Sequence, residues 1–508
     1  MRLRTLSLPA ALLGGIAIAG CSADRALTPN TSAVGGPSAL VAGASDADAA
    51  VAGNYLVRFK GNAIPKDFAT KVAALGGEVI FAHDGVGIAA VSGLDDARAD
   101  VLAARADVQA VDADAYTTLE GPDDEQIESA ESFGDATPAT ASNPAAAAIY
   151  RRQWNMRAIS ADSAWRAGKL GKSTTRVGIL DTGIDYLSAD LYGRVDLAAS
   201  RSFLSAAENR RVQAYFPGAN PIADLNFHGT HVAATVVSNG RVAAGVTSGI
   251  TLVGLKVCSP RTAPSFQGSC PSSGTLAAIL YAADIGLDVI NMSLGGYFQR
   301  VQASARGGDG PSYLATINRV KNYANRKGTL VVVSAGNSAI DLDHDGNGYA
   351  SYCSAAAVVC VSATGPTRAV TTNGPFENID APAYYSNYGR SAINVAAPGG
   401  GGNPAAHTYT FVSAVCSGFT IIPAYAVCRT RTFNPATGAW SSFVVGAQGT
   451  SMAAPHVTGV AALIAGEVGH NPSLIQARLQ QSADDLGEPG TDPAYGKGRV
   501  NAARAAGL

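Results

Sequence analysis

The octapeptide Gly449-Thr450-Ser451-Met452-Ala453-Ala454-Pro455-His456 sets a serine after a glycine and a threonine, with small residues and a proline behind it. Val457, Val460, Ala461 and Ile464 then recur at helical spacing, which predicts a buried helix starting near the serine. A serine in the first turn of such a helix has an exposed hydroxyl, a backbone N–H beside it and the positive end of the helix dipole. An acyl-transfer nucleophile needs those three things. A serine that merely caps a core helix is the competing reading.

The chain has 508 residues, 47% hydrophobic and 15% charged, enough for one large core and a smaller domain. A formal net charge of −2 excludes a basic field for nucleic acid. Arg2 and Arg4 precede an apolar run from Leu6 to Ile18, too short to span a bilayer and suited to a secretory h-region. The run ends Ile18-Ala19-Gly20-Cys21, which resembles a bacterial lipoprotein box. Residues 1–21 are therefore expected to be a lipoprotein-type signal peptide with lipid on Cys21; an ordinary signal peptide is the alternative. Apart from Cys21, six of the seven cysteines remain, an even number that suits disulfides in an exported chain. Pairing sequence neighbours closes the shortest loops and gives Cys258–Cys270, Cys353–Cys360 and Cys416–Cys428.

Residues 22–50 are rich in Ala, Ser, Gly, Thr and Asp without apolar period and read as a flexible linker. Residues 51–119 read as a small domain. Strands are predicted at Tyr55–Phe59, Val79–Phe81, Gly87–Val91 and Val108–Val111. Helices are predicted around Phe68–Leu75 and Leu94–Leu102. The order βαββαβ is the ferredoxin-like α+β pattern. Residues 120–148 begin with a run of acids and continue in Thr, Ala, Pro and Asn, as a disordered linker would. From 149 to 508, short apolar strands (Arg176–Leu180, Ile250–Val257, Val289–Met292, Thr329–Val333, Ile393–Ala397) alternate with helical patterns such as Thr275–Ile285 and Leu314–Lys327. That alternation predicts an α/β domain of three layers, a parallel sheet covered by helices on both faces.

Two further stretches carry chemistry. Asp181, in Leu180-Asp181-Thr182-Gly183, ends a buried strand, on the edge of an α/β sheet where sites form; a turn-capping acid is the alternative. His228, in His228-Gly229-Thr230-His231-Val232-Ala233, opens a helix as a general base would. His228 and His231 lack the third ligand and internal glutamate of a zinc helix.

Together the Asp181, His228 and Ser451 blocks, in that chain order, resemble the subtilisin-like serine proteases. The resemblance implies that Ser451 attacks a scissile carbonyl, His228 moves the proton and Asp181 orients the imidazole. It implies an oxyanion donor at Asn337, in Ser334-Ala335-Gly336-Asn337; an ordinary turn residue is the alternative. It also implies a substrate groove at Ser293, Leu294, Gly295 and Gly296 on one side and Ala335 and Gly336 near the first specificity pocket, with Gly268–Cys270 as the other side. Residues 51–119 resemble the family's inhibitory propeptide, whose end near Tyr116–Leu119 would lie in the cleft like a product. Residues 297–312 and 400–443 look like insertions.

No cofactor is expected for the chemistry, and structural calcium is considered at two places. Asp190 lies nine residues after Asp181, as a calcium-binding aspartate does in the family, but the loop near Ser238–Val242 that should complete the site looks shortened. Asp341, Asp343 and Asp345 alternate as in a calcium loop, yet Tyr352 stands where an EF-hand needs glutamate, and a solvated turn competes. The expected protein is a monomeric, exported, self-processing serine endopeptidase acting on polypeptides. Its precursor would be held to the membrane only through lipid on Cys21, and the mature enzyme would be periplasmic, cell-surface or extracellular. An inactive binding protein of the same fold and a calcium-dependent adhesion module are the alternatives.

Overall fold

The structure, a computed structural model, describes residues 50–119, 126–129, 142–260, 268–295, 297–299, 310–344, 346, 348–350, 352–371, 373–401, 424–428, 433–434, 439–440 and 443–508. The signal peptide with Cys21, the linker 22–49 and Cys416 lie outside the described residues.

The small domain runs β1 (Ala50–Phe59), α1 (Phe68–Ala74), β2 (Glu78–His83), β3 (Ile88–Ser92), α2 (Asp96–Ala103) and β4 (Val108–Leu119). Its antiparallel sheet has the order β2-β3-β1-β4, so the βαββαβ reading holds. Alternate strand residues divide between two faces. Tyr55, Val57, Phe59 and Val91 pack with Phe68, Val72 and Leu102 of the helices. Leu56, Ile88 and Ala90 face the large domain. Strand β4 continues eight residues beyond Val111, because its second half pairs with a strand of the large domain.

A strand β5 (Gln126–Ser129) forms inside the segment expected to be a disordered linker. It pairs antiparallel with a late strand. Backbone pairing needs no apolar period, so composition gave no sign of it.

The large domain contributes β6 (Arg176–Asp181), β7 (Arg201–Ser202), α3 (His228–Val236), β8 (Thr251–Lys256), β9 (Ser259–Pro260), β10 (Gly268–Pro271), α4 (Ser272–Asp284) and β11 (Val289–Met292). It continues with α5 (Gly310–Arg326), β12 (Leu330–Ser334), β13 (Val359–Gly365), β14 (Ala381–Pro382), β15 (Val395–Pro398), β16 (Ala424–Cys428), β17 (Phe443–Ala447) and α6 (Thr450–Val468). The main sheet has the order β14-β13-β12-β11-β6-β8-β7, with β15 beside β13. All its pairings are parallel except β13 with β14. Val177, Ile179, Leu252 and Val332 share a core with α3 and α6. Leu180, Val253, Ile290 and Val333 share a second core with α4 and α5 on the opposite face. The three expected layers are therefore present, and the small domain's sheet rests on the α4 and α5 side.

The Sγ atoms of Cys258 and Cys270 lie at disulfide distance, 2.00 Å, as do those of Cys353 and Cys360, 2.05 Å. These are two of the three expected pairs.

Candidate active site

Strand β6 ends on Asp181, which is in register with Lys256 at the end of β8. The Asp181 side chain is fully buried, and its Oδ1 accepts the Thr182 N–H at 2.7 Å. Helix α3 starts at His228 because Asn226 Oδ1 accepts the N–H groups of Phe227 and His228, at 3.0 and 3.1 Å. His228 Nδ1 then lies 2.8 Å from Asp181 Oδ1 and 3.0 Å from Oδ2. An ionised carboxylate only accepts, so Nδ1 carries the proton and Nε2 is the basic nitrogen. That Nε2 is buried and has no hydrogen-bond partner among the described residues. Burial alone would lower the His228 pKa, but the charge and hydrogen bond of Asp181, with the charge of Asp224, hold it above the ordinary imidazole value.

Asp224 was not singled out in the sequence. Its Oδ1 accepts the Thr182 hydroxyl and the Asn226 N–H, both at 2.9 Å. Its Oδ2 accepts the N–H and hydroxyl of Thr230, at 3.0 and 2.7 Å. Thr182 Oγ1 accepts the Gly229 N–H at 3.0 Å in turn, and Thr230 Oγ1 the Asp185 N–H at 2.9 Å. One carboxylate thus fastens the turn after β6 to the first turn of α3. Burial raises the Asp224 pKa against those bonds. Lys256 nearby is lowered to about 8 by its own burial, against the pull of Asp224, and donates to the Ala223 carbonyl at 2.7 Å. The only sign in the sequence was an acid four residues before the histidine.

Helix α6 begins behind Gly449, whose φ of 144° side-chain-bearing residues rarely adopt. Asn337 Oδ1 accepts the N–H and hydroxyl of Thr450, at 2.9 and 2.8 Å, which fixes the amide orientation and leaves Nδ2 as a donor. A Cβ built on Gly449 would stand 3.4 Å from Asn337 Nδ2 and 3.7 Å from the Ser451 nitrogen. Both donors therefore border one small space. The Ser451 N–H, in the first turn, has no acceptor within the helix. Asn387, also missed in the sequence, holds the Asn337 loop: its Oδ1 accepts the Ser338 and Ile340 N–H groups and its Nδ2 donates to Ala335 O.

The Ser451 hydroxyl donates to the Ser293 carbonyl at 3.3 Å. The structure therefore bonds His228 to Asp181, and turns the Ser451 hydroxyl to Ser293 and not to His228. His456, the imidazole of the octapeptide, is structural. Its Nδ1 donates to Met452 O at 2.7 Å, its Nε2 accepts from Asn155 at 2.9 Å, and burial lowers its pKa to about 4.

The expected groove residues Ser293–Gly295 follow β11, and Ala335 and Gly336 follow β12 next to it; Gly296 lies outside the described residues. Gly268–Cys270, expected as the other side, lie in β10. Strand β4 pairs with it antiparallel, Tyr116 opposite Pro271, Thr117 opposite Cys270, Thr118 opposite Ser269 and Leu119 opposite Gly268. Leu119 is buried in one cluster with Leu294. Two acids of β4 meet helix N-termini, where the dipole favours negative charge. Asp114 accepts from the N–H and hydroxyl of Ser273 in α4, and Asp112 accepts from the Ser312 hydroxyl in α5 at 2.9 Å. Burial pushes the Asp114 carboxyl up to about 6 against the Ser273 hydrogen bonds.

The candidate calcium residues are scattered. Asp190 is buried, and its oxygens accept the N–H groups of Arg241, Val242 and Ala243 at 2.7–3.0 Å. In this structure the loop expected to complete a calcium site instead donates its N–H groups to that carboxylate. Asp341 Oδ2 is 2.9 Å from His344 Nδ1, Asp343 accepts from Ser391, and Asp345 lies outside the described residues. Among the described residues no three His, Cys, Asp or Glu side chains converge as a metal site, and no helix is long and apolar enough to cross a membrane.

The model of the subtilase family matches residues 172–498. A thermophilic serine proteinase of Bacillus sp. (strain AK1) is 29% identical over 339 residues, 66% of this chain and 63% of that one. Thermitase of Thermoactinomyces vulgaris is 29% identical over 357 residues, 70% of this chain and 95% of that one. In architecture the chain is similar to the crystal structure of the epidermin leader peptide processing serine protease of Staphylococcus aureus. The TM-score is 0.64 and the identity 21%, over 90% of this chain and 98% of that one. The family model covers well over half of the sequence and includes Asp181, His228, Asn337 and Ser451, and the chain belongs to the subtilase family of subtilisin-like serine endopeptidases.

Proposed function

We propose that the chain is the exported, self-processing precursor of an endopeptidase whose catalytic residues are Ser451, His228 and Asp181. The observation that carries this reading is the addition of β4 to β10 as an extended strand, ending at buried Leu119 beside Leu294. A polypeptide substrate would bind in the same way, by backbone pairing along β10. Residues 51–119 would then inhibit in place until cut.

In the reaction, the Ser451 hydroxyl rotates from Ser293 O towards His228 Nε2, gives up its proton there and forms a bond to the scissile carbonyl carbon. Asn337 Nδ2 and the Ser451 N–H receive the negative oxygen. The imidazolium, steadied by Asp181, returns the proton to the leaving amine, and water completes hydrolysis of the acyl-enzyme by the same route in reverse. The cysteine pairs at disulfide distance suit an oxidising compartment, in line with the N-terminal h-region. Cutting after the small domain would also separate the enzyme from lipid on Cys21, leaving a monomeric mature protease outside the cytoplasm.

The test is the Ser451→Ala chain, exported and purified. It should remain full length, whereas the parent is cut and takes a fluorophosphonate label. Processing of the Ala variant at the parent's site would refute self-cleavage. A processed parent that neither takes label nor hydrolyses casein would instead be the inactive binding protein.

A further inference from the structure

Every hydrogen bond that the Arg319 side chain makes among the described residues crosses from α5 to the small domain. Nη1 donates to Phe59 O at 2.8 Å and to Val86 O at 3.1 Å, with Gly61 O farther off at 3.5 Å. Nη2 donates to the Gln109 side-chain oxygen at 3.2 Å. These acceptors come from the end of β1, the turn between β2 and β3, and the start of β4. Local geometry gathers them. Strand β1 shifts register against β4 between Arg58 and Phe59. Gly87 lets the two turns touch, since a Cβ there would stand 2.0 Å from the Gly61 carbonyl. Residues so far apart in sequence meet because the small domain is folded. Two turns earlier on α5, the Ser312 hydroxyl accepts from Arg58 Nη2 at 3.1 Å and donates to Asp112.

We propose that Arg319 is the residue through which the catalytic domain recognises the folded small domain, so that inhibition after cutting depends on this contact as well as on β4 in the groove. The inference rests on the reading that residues 51–119 inhibit in place. A guanidinium presents its donors in a rigid plane, and a charged donor bonds a carbonyl oxygen more strongly than a neutral one does. Its partner must therefore gather several carbonyl oxygens at one point. The folded small domain does so, and a single extended strand does not. Arg319 thus separates inhibitor from substrate, although both pair with β10.

The test uses full-length parent, Arg319→Ala and Arg319→Lys chains after they have cut themselves, assayed on a quenched peptide over a dilution series. Activity per molecule should rise as dilution frees the small domain. The midpoint should lie at a concentration about 10- to 100-fold higher for Arg319→Ala than for the parent, and between the two for Arg319→Lys. At full dilution all three should share one kcat/KM. A peptide copying residues 111–119 carries the groove strand without the Phe59, Val86 and Gln109 acceptors, and it should inhibit fully diluted parent and Arg319→Ala equally. An unmoved midpoint in Arg319→Ala, or a peptide that tells the two enzymes apart, overturns the Arg319 inference alone. If the Ala chain yields no enzyme, the Lys chain decides by the same comparison. A cut parent that is equally active at every concentration overturns the inhibitory reading beneath it.

Discussion

Ser293 holds Ser451 from both ends. The Ser293 hydroxyl donates to the Ser451 carbonyl at 2.7 Å, and the Ser293 carbonyl accepts from the Ser451 hydroxyl at 3.3 Å. The first contact follows from Pro455. A proline inside a helix has no N–H for the carbonyl four residues back, which here is that of Ser451. Ser293 supplies the missing donor, and Asn291 steadies it, donating to Ser293 Oγ at 2.9 Å while accepting from Thr458 of the same helix at 2.8 Å.

Ser293→Ala should therefore leave the Ser451 carbonyl and the Asn291 amide without their buried partner. Stability should fall by about 1–3 kcal/mol, read from the urea midpoint, with a loss in kcat as the start of α6 loosens. An unchanged midpoint would show that the Ser293 bond does not hold the helix.

Asp224 joins the Asp181 turn to the His228 helix through acceptors alone. Asp224→Asn turns one acceptor into a donor facing donors. The expected result is a fall in kcat of about tenfold with little change in KM. The acid limb of the pH–rate profile should also move down, because Asp224 charge helps hold the His228 pKa up. A stability loss with an unmoved pH profile would limit Asp224 to a structural part.

His228 works as a base only when neutral, and its pKa is raised in the folded protein. Activity should thus decline as pH falls through a value above the ordinary imidazole pKa. Asp181→Asn should displace that limb downwards as well as slow the reaction. Measurement of kcat/KM between pH 5 and 9 checks both; a limb at or below the ordinary value in the parent would contradict the Asp181 contact.

Asp114 titrates at about 6 when docked on α4, above the ordinary 3.8. Docking therefore favours its protonated form. The small domain should bind most tightly below about pH 4, lose affinity as pH rises towards 6, and change no further above it, a span on the order of 3 kcal/mol. After processing, more of the cut small domain should co-elute with the enzyme at pH 5 than at pH 8. Asp114→Asn should remove that difference, and equal retention of the parent at both pH values would disprove the linkage.

The order of the small domain's elements, the parallel strands and the helix behind Ser451 were legible in the sequence because apolar period and glycine position are local properties. So were Asp181, His228, Ser451 and Asn337, each carried by a short block with its own backbone demands. Asp224 and Asn387 were not. Their importance comes from bonds to residues far along the chain, such as Asp224 to Thr182 and Asn387 to Ala335, and a lone Asp or Asn before a turn looks the same whether or not it makes them.

The sequence by itself determined the layers, the chemical types at the site and the two cysteine pairs seen at disulfide distance. Only the tertiary structure decided that β4 runs on to pair with β10, that Asp190 accepts the N–H groups of the distant loop Arg241–Ala243, and that the Ser451 hydroxyl turns to Ser293. Each is a choice among hydrogen-bond partners of equal chemistry, and such choices are made by where the packed layers bring the backbone.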